Sequence, residues 1–181
     1  VTFPQIYLGY ELFPKTDVGQ MEILVRKESG TPLRTTEKTI AKMEGILKEV
    51  MGDDLSQTVS NIGVFYDLPA AYTPNSGTQD AFIKAQLIEG HAKATDSYVP
   101  ILRERFHNEF PGVEVSFNTG GLITAALNEG KSSPIDVQVK GNKLEVLRAL
   151  AERLRDTINA ISTTRDVRIL QRIDQPTKEM D

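Results

Sequence analysis

The chain contains no cysteine and no tryptophan, and it has two histidines among its 181 residues. Without cysteine, neither a disulfide framework nor a thiolate metal site is possible. His91 and His107 lie far apart in the sequence, and neither has a second histidine or a cysteine at helical or hairpin spacing. We therefore expect structural roles for both histidines, no metal site and no cofactor.

An excess of positive charge and a long apolar run are also missing. The formal net charge is −4, which disfavours nucleic acid as a partner because phosphate binding relies on lysine and arginine. Arg165, Arg168 and Arg172 do cluster, but Asp166 and Asp174 lie among them, which predicts a solvated face. No apolar stretch approaches the roughly 20 residues that a membrane helix needs. The chain itself is therefore expected to be water-soluble.

The sequence shows no pattern of catalytic residues. Gly130-Lys131-Ser132 resembles the end of a phosphate-binding loop, but Ala125 stands where that pattern requires glycine. A dinucleotide fingerprint, zinc-ligand spacing and a nucleophile elbow are all missing. We expect a binding or conduit role and no enzymatic activity.

Residues 1–19 form an extended lead-in, and the periodicity of residues 20–118 predicts the order βαββαβ. Thr31 is the expected N-cap of the first helix. Asp96 or Ser97 starts the second, and Ser97 is preferred because it places Pro100 in the first turn. This order is the α+β, ferredoxin-like arrangement of two split βαβ units. Right-handed crossovers would place both helices on one face of a four-stranded antiparallel sheet.

Two long irregular stretches, 65–78 and 119–133, accompany this pattern. The first joins the second and third predicted strands and is much longer than the usual two to five residues of a hairpin loop. It is rich in aromatic and apolar side chains, whereas the second has glycine near both ends and an apolar middle. A loop lying over its own core and a loop that contacts a ligand or partner fit the sequence equally well.

Residues 134–181 begin the same pattern again. Strands are predicted at 135–139 and 167–169, and Asn142 is the expected N-cap of the helix between them, with Glu145 completing a capping box. The helix has the strongest apolar stripe of the chain: Leu144, Leu147, Leu150, Leu154, Ile158 and Ile161. Two strands cover too little of such a helix, so the sequence predicts an incomplete second βαβ subdomain. Its stripe must lean on the first subdomain or pair with a second copy.

Short motifs follow one another in a set order along nearly the whole chain. They are GYELFPKTDVGQ at 9–20, SGTPL at 29–33, NSGT at 75–78, LR at 102–103, FPG at 110–112, PIDVQVKG at 134–141, DV at 166–167 and DQP at 174–176. In this order they resemble the second periplasmic loop of resistance-nodulation-division (RND) efflux transporters.

The resemblance implies a division of the chain into functional parts. Residues 1–19 would follow a transmembrane helix, 20–118 would be a first porter subdomain, 119–133 a flap-like linker and 134–181 the first half of a second subdomain. Family members are inner-membrane homotrimers that exchange protons for substrate. They pass amphipathic small molecules to a periplasmic adaptor protein and an outer-membrane channel, and this chain would lie on the periplasmic side.

In the drug-pumping branch of the family, the loop between the second and third strands separates two substrate pockets. A strand end and a flap form the floor of the access pocket. The resemblance therefore implies these substrate-binding residues: Phe65, Tyr66, Leu68, Tyr72, Phe117, Asn118, Gly120, Gly121 and Leu122. Aromatic groups on an adaptable backbone suit bulky amphipathic ligands. The loop has less glycine than is usual in the family.

Three alternatives remain open. A heavy-metal branch of the same family would place methionines in the cleft, and Met21, Met43 and Met51 do not form a convincing set. The chain could instead be a stand-alone ferredoxin-like ligand-binding or interaction module. Single-stranded RNA binding on the sheet face is disfavoured by the acidic composition.

Overall fold

The computed structural model describes residues 17–64, 77–119 and 135–171. The elements in these ranges are β1 (Gln20–Arg26), α1 (Leu33–Met51), β2 (Leu55–Ile62), β3 (Asp80–Leu87), α2 (Thr95–Glu109), β4 (Glu114–Asn118) and α3 (Leu144–Asn159). A single 3-10 turn, Gly52–Asp54, joins α1 to β2. The fold class is α+β, and the predicted βαββαβ order through residue 118 is confirmed.

The four strands form one antiparallel sheet in the order β2-β3-β1-β4. β1 is central, with Ile23 paired to Ile83 on β3 and to Phe117 on β4. β1 and β2 are separated by β3 and are not neighbours, which is the strand order of the ferredoxin-like fold.

Both α1 and α2 pack on the same face of the sheet. The hydrophobic core joins alternate residues of the strands to one stripe of each helix. Its fully buried large side chains include Met21, Ile23, Met43, Leu47, Ile83, Tyr98, Leu102 and Phe106. Burying an aliphatic or aromatic side chain of this size contributes roughly 1.5–3 kcal/mol, so this layer accounts for most of the cohesion of residues 20–118.

The predicted cap of α1 was wrong by one residue. Pro32 occupies the N-cap position with extended backbone angles, and no side chain caps the helix. The Thr31 hydroxyl instead donates to the carbonyl oxygen of Glu28 at 2.7 Å, which closes the preceding turn. Gly52 ends the helix as predicted, with a φ of 54°.

The predicted start of α2 was also wrong. The helix begins at Thr95, so Pro100 lies beyond the first turn. Ser97 does not act as the N-cap, and its hydroxyl donates to the Ala94 carbonyl at 2.6 Å. Asp17 supplies the cap, because its carboxylate accepts the Thr95 N–H at 2.7 Å and the Thr95 hydroxyl at 2.6 Å.

The fifth and sixth predicted strands do not form in the described residues. Residues 135–140 and 167–169 are irregular, and α3 lies between them with Lys143 at the N-cap instead of Asn142. Strands need partners for their N–H and carbonyl groups, and the described residues offer none to these two segments. No residue of α3 is buried, and the expected division into two subdomains stays a prediction.

Candidate functional site

The structure describes two of the residues to which the resemblance gives a substrate-binding role, Phe117 and Asn118 at the end of β4. Asn118 is half-buried and pairs with Glu22 of β1. The remaining expected site residues lie outside the described ranges: Phe65, Tyr66, Leu68, Tyr72, Gly120, Gly121 and Leu122.

The Phe117 ring lies at the margin of the core. It stacks on the buried ring of Phe106, with centroids 6.0 Å apart and planes inclined by 13°. The Arg103 guanidinium lies 5.2 Å from the Phe117 ring centre, within the range of a cation–π contact. The half-buried Phe117 side chain packs against the core cluster, and its expected role in substrate binding stays a prediction.

Asp166 fixes the end of the sheet beside this ring. Its carboxylate accepts hydrogen bonds from Arg103 Nη2 at 2.8 Å and Nε at 3.3 Å, a forked geometry. The same carboxylate accepts the backbone N–H of Phe117 at 3.1 Å. Because β4 is an edge strand, this N–H has no partner in the sheet, and Asp166 supplies one from outside it. The family motif at 166–167 was the signal in the sequence for this residue.

The residues after Asp166 lie against the sheet, so the predicted solvated arginine face is corrected at Arg168. Arg168 donates to the Ser116 hydroxyl at 2.8 Å. Arg26 of β1 donates in turn to the carbonyl oxygens of Ile169 at 2.9 Å and Leu170 at 3.1 Å. Burial, followed by repulsion from Arg26, lowers the pKa of Arg168. The segment therefore closes over the β1–β4 side of the sheet.

The strand pairing shows where the two irregular stretches leave the sheet. Arg26 pairs with Asp80 at the start of β3 and with Glu114 at the start of β4. Asn118, at the end of β4, pairs with Glu22. Glu22 and Arg26 lie about 13 Å apart along the strand at 3.3 Å per residue.

Consequently the two stretches leave from opposite ends of the sheet. Residues 65–76 follow β2 at the Arg26 end, and residues 120–134 follow β4 at the Glu22 end. Both stretches lie outside the described ranges, so the ligand or partner contacts expected of them stay a prediction. The strand ends by themselves do not bring the two stretches together.

A polar network holds the loop between β3 and α2. Tyr98 donates to Asp54 at 2.5 Å, and burial together with this bond raises the pKa of Tyr98 to about 12. The bond from Tyr98, followed by that from the Ala92 N–H, lowers the pKa of the Asp54 carboxyl. His91 Nδ1 donates to the Lys93 carbonyl at 2.7 Å. These contacts fix the loop.

The methionines that bear on metal transport are core residues. Met21, Met43 and Met51 are 2%, 0% and 4% exposed and belong to the hydrophobic cluster between sheet and helices. Their thioethers are therefore not available to an ion in a cleft. In the described ranges no group of three or more histidine, cysteine or acidic residues could hold a metal ion.

Comparison with solved structures finds the same fold in part of a much larger protein. Two crystal forms of a heavy metal efflux pump match with TM-scores of 0.68 and 0.69, each at 18% sequence identity. The matches cover 84% and 86% of this chain and 16% of the pump chain. At this identity the likeness establishes the fold alone. No protein-family model matches the sequence, and no curated protein matches it significantly.

None of the helices in the described residues is long and apolar enough to cross a membrane.

Proposed function

We propose that this chain is the periplasmic porter part of an RND efflux transporter in an inner membrane. The observation that carries the proposal is the extent of the structural match. Matches over 84% and 86% of the chain are longer than residues 1–133 and therefore include part of residues 134–181. A stand-alone ferredoxin-like module would have no reason to share that second part with an efflux pump.

The order of the sequence motifs supports the same proposal independently. The motifs at 9–20 and 29–33 flank β1, and those at 134–141 and 166–167 flank α3. Two proteins can share a fold without sharing short sequence motifs in the same order, so the motifs are support that is separate from the structural match. In the full transporter the chain would act within a homotrimer, driven by proton exchange, and would deliver substrate to an adaptor protein and an outer-membrane channel.

The substrate class that we propose is the amphipathic small molecule. The apolar and aromatic stretch at 65–76 fits such ligands. The three methionines in the described ranges, Met21, Met43 and Met51, are buried, so their thioethers are not available to a soft metal ion. Heavy-metal efflux is the second candidate, because the structures that match are those of a heavy metal pump.

An accumulation assay distinguishes the two candidates. Cells that lack the full-length transporter are compared with cells that express it, and the uptake of a cationic fluorescent dye and of copper, zinc and cobalt ions is measured. The proposal predicts lower dye accumulation on expression, reversed by collapsing the proton gradient, with no change in metal content. Lower metal content alone would establish the second candidate. If neither changes at normal protein levels, both are wrong.

Tyr66→Ala tests the proposed role of the stretch at 65–76 in substrate binding. We expect it to change the efflux of some large dyes more than others, at an unchanged protein level, because the resemblance places Tyr66 beside the substrate path. Equal loss for every dye, together with a falling protein level, would make Tyr66 a packing residue.

A further inference from the structure

One face of α3 is exposed and has no assigned role. It consists of Glu145, Val146, Ala149, Leu150 and Arg153, here called the α3 strip. All five are exposed, with Val146 at 60% and Leu150 at 43%. Exposed aliphatic side chains flanked by charges are typical of surfaces that bind another protein.

The α3 strip lies beside the apolar stripe predicted from the sequence and shares Leu150 with it. Leu147, Leu154 and Ile158 of that stripe are half-buried. At about 100° per residue, Leu147 lies roughly 160° around the helix from Ala149 at the centre of the α3 strip. Apolar residues therefore continue around the helix from the stripe to the α3 strip, where Val146 and Leu150 are exposed.

The charges of α3 single out two residues. Most of its charged side chains are paired within the helix: Arg148 with Glu152, and Arg155 with Asp156. In the part of the chain that the structure describes, Glu145 and Arg153 have no ion-pair partner. Both lie on the α3 strip, one at each end.

Their spacing is symmetric. Glu145 precedes Ala149 by four residues, and Arg153 follows it by four, about 6 Å along the helix in each direction. A second α3 that runs antiparallel across Ala149 places Glu145 of one copy opposite Arg153 of the other, twice. The small side chain of Ala149 permits a close approach of the two helices at the crossing point, between Val146 and Leu150 of both copies.

We propose that the α3 strip is a self-association surface, on which a second copy of this chain packs antiparallel about Ala149 with Glu145–Arg153 ion pairs at both ends. The arrangement is isologous, since the same residues serve both copies. A single helix pair buries less than the roughly 1,200 Å² of a standard interface, so the dimer is weak and concentration-dependent. The inference concerns this chain alone and does not depend on the proposed function.

Charge reversal tests the proposal by sedimentation equilibrium of the 181-residue chain over a concentration series at low salt. Glu145→Arg and Arg153→Glu each place like charges opposite one another, and each is expected to weaken the dimer about fivefold or more. The double reversal restores opposite charges and should return the dissociation constant to within about twofold of the starting value. All three variants change exposed residues, and circular dichroism checks that the helix content is retained.

The control inverts an i,i+4 ion pair on another helix, Arg105 with Glu109 of α2. Arg105→Glu with Glu109→Arg keeps opposite charges at these two positions and should leave dimerisation unchanged. A chain that stays monomeric at every concentration overturns the proposal. Dimerisation that is insensitive to the single reversals also overturns it, and so does failure of the double reversal to restore it.

Discussion

The carboxylate of Asp166 lies 2.8 Å from the guanidinium of Arg103, although the two residues are 63 positions apart in the sequence. The pair joins the segment after α3 to α2 of the first subdomain. Because the same carboxylate accepts the N–H of Phe117, one side chain connects the C-terminal segment, α2 and the edge of the sheet. Both groups are partly exposed, so the connection is of moderate strength.

Replacing Asp166 with asparagine should release the edge of the sheet. Asp166→Asn keeps the shape but loses the charge-assisted bonds, and we expect the free energy of unfolding to fall by about 1 kcal/mol. The Phe117 amide should exchange its hydrogen faster, as measured by NMR. Asp156→Asn, which alters an exposed pair on α3, is the control and should change neither quantity. Unchanged exchange at Phe117 would show that the edge is held in another way.

Phe117 should stabilise the fold, whether or not it also contacts substrate. Phe117→Ala removes a half-buried ring from Phe106, and we expect a loss of about 2 kcal/mol, less than the 3–5 kcal/mol typical of a fully buried phenylalanine. Phe117→Leu should lose about half as much, because it retains apolar contact. Urea denaturation measures both variants. If the alanine variant were as stable as the parent, the ring would have no packing role.

The cap that Asp17 provides should make stability depend on pH at the acidic end. Burial alone would raise the pKa of this carboxyl, but hydrogen bonds from Thr95 and Gly19 outweigh it and lower the pKa. The contribution is therefore present above about pH 4 and is lost as the pH falls through the lowered value. Asp17→Ala should cost about 1 kcal/mol at pH 7 and flatten that acid-side dependence. Thermal melts between pH 3 and pH 7 check this, and a parallel pH profile for the variant would contradict it.

Tyr98 should make the stability of the fold depend on pH at the alkaline end. Its pKa is raised from 10.0 to about 12, so its contribution is complete below about pH 10 and is lost as the pH rises towards 12. Absorbance at 295 nm should show a late ionisation step, near pH 12, that belongs to Tyr98. In Tyr98→Phe this late step should be missing. The part of the loss of stability between pH 10 and 12 that is due to the ionisation of Tyr98 should also be missing. A late step that survives in Tyr98→Phe would assign it to another tyrosine.

The alternation of apolar and polar residues predicted β1 and β3, and helical periodicity predicted α1. Together they gave the order of the strands and helices in residues 20–118, because both patterns depend on residues close in sequence. The caps were not predictable in this way. Asp17 caps α2 from 78 residues before Thr95, a distance over which the sequence gives no local signal. The predicted strands around α3 failed for a related reason, since strand formation depends on partners that the described residues do not provide.

The candidate site shows the same limit. Motif order pointed to residues 166–167 without indicating that Asp166 reaches Arg103 and the N–H of Phe117. The apolar stripe of α3 was predicted from its leucines, but the α3 strip could be identified only from the exposure and the ion pairing of its side chains. The first case depends on contacts between residues far apart in the sequence, and the second on the surroundings of the α3 side chains.

The central claim is that this chain is one part of an efflux transporter, and the sequence of the reading frame on either side tests it most directly. The claim predicts apolar runs of about 20 residues on both sides, with a further βαβ segment downstream to complete the subdomain of α3. A reading frame that starts and stops close to these 181 residues, or that continues without any apolar run, would contradict the claim and leave a stand-alone ferredoxin-like module.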